Sequence, residues 1–161
     1  MRIRIHNRVD GLAVLRCERT DGSVTWQRHP EKNSRFFPLH DLTHYAVETT
    51  LGLREAFYGL VARGWDLRDF GTPWPRGQLP VEACVSEFLV GALDLERMSG
   101  EQQTVEEVNA RGLGEFEDEW RTITDDELAR SRALAHELIA RWRALPPDSE
   151  IALEFTLPEE P

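Results

Sequence analysis

The chain has 161 residues, with 29 acidic and 19 basic side chains and a formal net charge of −10. That length suits one domain that buries a core without staples, and an apolar share of 40% with five Trp excludes an intrinsically disordered chain. The acidic balance argues against nucleic acid and anionic membranes as partners, since both are polyanions that attract Lys/Arg patches.

The N-terminal MRIRIHNRVDG has no continuous apolar stretch of the kind a signal peptide needs. The longest apolar run, Phe88–Leu93, is broken by Gly91 and falls far short of the roughly 20 residues of a membrane span. Cys17 and Cys84 lie far apart without CxxC spacing, so two free thiols and a cytoplasmic protein are expected.

Arg2–His6 alternates, with Ile3 and Ile5 on one face, and reads as a strand. Leu12–Arg19 and Ser23–His29 flank Asp21-Gly22, which predicts a hairpin with a two-residue type I′ turn. In that register Thr20 faces Ser23 and Cys17 faces Trp26, and Ala13, Leu15, Cys17, Val24 and Trp26 form the apolar face. Residues 30–38 form a loop, and Pro38 then opens a helix running from Leu39 to about Arg63, kinked or interrupted at Gly52. Residues 64–80, with three Pro, three Gly and two Trp, form a long structured loop. A second helix fits Val81–Met98, with Val81, Cys84, Val85, Phe88, Leu89 and Ala92 on one stripe. Ser99 with Gln102 predicts a capping-box start for a third helix to Arg111, and Glu115–Glu119 reads as a solvated acidic face. Thr124 with Glu127 starts the final helix, which carries Leu128, Ser131, Ala135, Leu138, Trp142 and Leu145 and ends at Pro146-Pro147. Ile151–Leu157 alternates and closes the chain as a strand. The expected fold is therefore a single α+β domain over 1–161. A small antiparallel sheet (strands within 1–29 and 150–157) packs with about four helices from the 39–145 region.

The chemistry concentrates in Pro38–Glu48, where two of the five His sit beside two carboxylates. With about 100° per residue and His40 at zero, His44 falls near 40°, Glu55 near 60° and Glu48 near 80°. Leu42, Ala46, Leu53, Phe57 and Leu60 fall at about 200–260° and form the evident core face. The His/Glu stripe is thus expected on the side away from that core, bordered by Val47, Leu51 and Tyr58, as a pocket lining. Two His at i, i+4 can converge on one cation, and a carboxylate completes three ligands. His40, His44 and either Glu48 or Glu55 are the candidate ligands of a divalent metal, zinc by ligand type. Asp41 is the candidate orienter or general base. His29 and His136 are outlying ligand candidates, and Tyr58, Trp65 and Trp74 are placed to contact an unknown small molecule. On this reading the protein binds a metal and hydrolyses a substrate with its help. The competing reading is a non-enzymatic interaction module without metal: the sheet or the final helix forms a homodimer, His44 bonds a neighbour, and Glu48 pairs with Arg54.

Three family resemblances meet in these residues. HDLTH resembles the HDxxH form of the zincin metalloprotease helix, which implies metal ligation by His40 and His44 and a general base at Asp41. It is also similar to the HDxxH-x11-Glu motif of the ubiquinone-biosynthesis scaffold proteins. That likeness implies a role for His40, Asp41, His44 and a Glu near position 56; this chain has Ala56, with Glu55 one residue early. LHDLTH resembles the core of HD-domain phosphohydrolases, implying ligation by His40 and Asp41.

Overall fold

Alternation of inward and outward side chains marks three N-terminal strands, β1 (Arg2–Asn7), β2 (Ala13–Glu18) and β3 (Val24–Arg28). The computed structural model describes residues 1–71, 74–116 and 120–157, without the side chain of Glu115, so most of the Glu115–Glu119 run lies outside the described residues. After five α-helices among the described residues the chain returns as β4 (Ser149–Glu154), which pairs with β1. The sheet is antiparallel throughout, in the order β3-β2-β1-β4. The fold is α+β, as composition and element order predict.

The hairpin forms one register away from the two-residue turn. Cys17 faces Thr25 and Arg16 faces Trp26. Arg19 N donates to Ser23 O at 2.9 Å, leaving a three-residue loop, Thr20-Asp21-Gly22, closed by Gly22 at φ 83°. A slip of one residue turns every side chain of a strand over, so Val24 and Trp26 leave the core face and Thr25 enters it. Trp26 is 64% exposed and Thr25 only 7%. Two bonds, one local and one long-range, favour this register. Asp21 Oδ1 accepts from Ser23 N at 2.9 Å, and the inward Thr25 Oγ1 accepts from Leu67 N at 3.0 Å.

The long first helix divides as the glycine predicts. Helix α1 (Phe37–Leu51) stops at Gly52, φ 68°, and α2 (Phe57–Ala62) follows. Helix α3 covers Val81–Ser99. Ser99 is its last residue rather than the next cap, because Gly100 at φ 78° terminates the helix there. The capping box belongs instead to Thr104 and Glu107, which open α4 (Val105–Gly112). Thr124 and Glu127 open α5 (Asp125–Arg143) as expected. Arg19 pins the start of the 64–80 loop, donating to Val61 O at 2.6 Å and to Trp65 O. No helix among the described residues is long and apolar enough to cross a membrane.

Two apolar clusters meet at α1. One joins Ile3, Ile5, Leu15, Ile151 and Leu153 of the sheet to Leu42, Tyr58 and Leu138. The other joins Val47 to Val85, Leu89 and Leu93 of α3 and to Val108 and Leu128. With a core on each side, α1 has little exposed face, and this determines where its His/Glu stripe lies.

Candidate metal centre

The stripe points into the α1–α3 seam rather than away from the interior. His44 is 2% exposed and Glu48 is fully buried, because the second apolar cluster occupies the side that a one-core reading leaves open. His40, one turn earlier, remains partly exposed at the edge of the seam.

The two rings turn their Nε2 atoms toward each other, 3.2 Å apart. Each ring is fixed from behind through Nδ1. His40 Nδ1 lies 2.8 Å from Asp94 Oδ2, and His44 Nδ1 lies 3.2 Å from Glu48 Oε1 and 3.4 Å from Ser86 Oγ. Glu87 Oε1, half exposed on α3, approaches His44 Nε2 at 3.4 Å. One ligand atom from each of His40, His44 and Glu87 falls within a 4.8 Å span. Donor atoms about 2.0–2.1 Å from a tetrahedral ion stand about 3.3 Å apart, close to both separations. When both Nδ1 atoms donate to their carboxylates, two lone pairs face each other across 3.2 Å. That arrangement is repulsive unless a proton or cation sits between them.

The electrostatics separate the two histidines. Burial drives His44 down to about 4, against the attraction of Glu87. Burial also opposes charge on His40, but the Asp94 hydrogen bond and charge outweigh it and leave its pKa raised. Asp94 is lowered in turn, since bonds from His40 and from Arg97 (Nη2, 2.8 Å) exceed its cost of burial. Burial pushes Glu48 up to about 8, although the Tyr58 and Gly59 amides donate to its Oε2 at 2.8 and 3.3 Å. Phe36 stacks on His40 and Phe57 tilts against His44, with centroids 5.3 Å apart in each case, so the ring pair has an apolar surround.

The remaining expected site residues lie elsewhere. Glu48 stands behind His44 and caps the start of α2, so it orients a ring instead of facing the shared Nε2 space. Glu55 is held by Arg63 at 2.5 Å on the surface. The Asp41 carboxylate is engaged through Oδ2 by buried His29 Nε2 at 2.8 Å, a pair that holds both residues in the interior. Tyr58 is fully buried and donates to Asp41 O at 3.1 Å. Trp65 packs on Phe70 at 5.3 Å under the Arg76 guanidinium and anchors its loop, while Trp74 is 43% exposed. His136 lines a separate cleft beside α5.

Glu87 and Asp94, which sequence reasoning passed over, come from α3. A signal for them exists: of the four carboxylates of α3 these two, at i and i+7, lie about 20° apart on one helix face. Comparison with protein-family models, with curated proteins and with solved structures yields no match to this chain.

Proposed function

We propose that the protein binds a divalent cation, zinc by ligand type, through His40 Nε2, His44 Nε2 and the Glu87 carboxylate. The observation that carries this reading is the 3.2 Å approach of two Nε2 atoms whose Nδ1 atoms are both held by carboxylates. The ionised Asp94 fixes the His40 tautomer that presents Nε2 to a metal, and Glu48 does the same for His44 once it gives up its proton. Glu87 is 52% exposed, which gives the ion a route to solvent. Three protein ligands leave a fourth position for water, the arrangement of catalytic rather than structural zinc sites. Metal-assisted hydrolysis is the reaction class that such a position serves. The free, reduced state of Cys17 and Cys84 accords with a cytoplasmic setting for this activity.

Titration of the metal-free protein with cobalt(II) tests the reading. Wild type is expected to develop the visible absorption of four-coordinate cobalt and to saturate at one equivalent. His44→Ala loses the band, and Glu87→Gln weakens binding while the far-ultraviolet circular dichroism stays unchanged. An absent band in wild type, or an undiminished one in His44→Ala, contradicts the proposal.

A further inference from the structure

The helices pack on one face of the sheet, and strand register sets Arg4, Arg16 and Trp26 in a row on the other, Arg4 opposite Arg16 and Arg16 opposite Trp26. A cleft of about 660 Å³ opens there between the β1–β2 turn and the start of β4, with Arg4, His6, Val9, Val14 and Arg16 among its walls. Cavities of this size suit small molecules. Most charges of the cleft are matched internally: Arg4 Nη1 with Glu150 at 3.1 Å, His6 with Asp148 at 3.0 Å, and Arg8 with Asp10 at 2.9 Å. Arg16 has no hydrogen-bond or ion-pair partner among the described residues, and Arg4 Nε is buried without one. Directly opposed side chains on neighbouring strands have Cβ atoms about 4.5–5.5 Å apart, where like charges repel. In a chain of net charge −10, the register thus sets Arg4 beside Arg16 on one face, with Arg4 Nη1 turned to Glu150 and Arg16 left without a counter-charge. An anion supplies what is missing, and Val9, 76% exposed, with Val14 offers apolar surface beside it.

We propose that this cleft binds a small organic phosphate, its phosphate held between Arg4 and Arg16 and its apolar part on Val9 and Val14. Planar guanidinium forks match phosphate oxygens in pairs, which makes arginine the suitable side chain for this contact. The cleft lies across the sheet from α1, so the inference is independent of the metal centre.

Calorimetric titration of the whole, chelator-treated protein with phenyl phosphate, and separately with inorganic phosphate, tests it. Wild type is expected to bind phenyl phosphate saturably at one site and inorganic phosphate more weakly. Arg16→Gln and Arg4→Gln should each weaken phenyl phosphate about tenfold or more, while the exposed Arg130→Gln binds as wild type. Circular dichroism checks that the variants are folded; Arg16 is exposed, so its replacement leaves the core intact. No saturable binding at millimolar phenyl phosphate overturns the proposal. So does wild-type affinity in Arg16→Gln, equal affinity for the two probes, or an equal loss in Arg130→Gln, which would mark diffuse charge attraction.

Discussion

Glu48 joins two parts of the molecule through its two oxygens. One oxygen holds the His44 ring, and the other accepts the amides that begin α2. Removing a buried carboxylate with these partners leaves several donors without acceptors, each costing on the order of 1–3 kcal/mol. Glu48→Ala is therefore expected to lower stability by about 3 kcal/mol or more, read from the denaturant midpoint. Asp94 holds His40 and, on its own helix, Arg97: Asp94→Asn should keep the fold but weaken zinc about 10–100-fold, because His40 loses the charged acceptor that fixes its tautomer. Competition against a zinc-responsive dye measures this. Unchanged affinity in Asp94→Asn would remove Asp94 from the centre.

Register and caps are decided at the scale of elements. The outward Trp26 and inward Thr25 predict opposite sensitivities. Trp26→Ser should change stability by no more than about 0.5 kcal/mol. Thr25→Val leaves the buried Leu67 amide without its acceptor and should cost about 1–3 kcal/mol. The reverse order in equilibrium unfolding would restore the two-residue turn. At α5, the Arg121 hydrogen bonds and the Thr124 cap hold Glu127 at about 2, below its ordinary 4.5. A lowered carboxyl contributes stability above pH 4.5 that is lost as the pH falls toward about 2. Wild type should accordingly exceed Arg121→Gln in denaturant midpoint at pH 6, and the gap should close as the pH approaches 2. A gap independent of pH would assign the effect of Arg121 to packing.

For the molecule as a whole, local signals carried most of the architecture. Gly52 and the Thr124–Glu127 box mark helix ends through backbone conformation and hydrogen bonding alone, and both are legible without a structure. The hairpin register was not, because it depends on a contact between Thr25 and Leu67, 42 residues apart. The candidate site divides on the same line. His40 and His44 are legible from i, i+4 spacing on α1, but their partners Glu87 and Asp94 arrive only when α3 packs against it. Glu55, assigned by helix angle, is lost to the site because Gly52 ends the helix that would have carried it there. Helical periodicity also implied a single buried face, whereas two cores enclose α1 and bury its polar stripe.

Diffraction from zinc-soaked crystals, collected above and below the zinc absorption edge, tests the metal centre most directly. The expected result is one anomalous peak about 2.0–2.1 Å from both His40 Nε2 and His44 Nε2, with Glu87 as third ligand. A fully soaked crystal with no peak between the two rings, or with zinc bound only elsewhere, would contradict it.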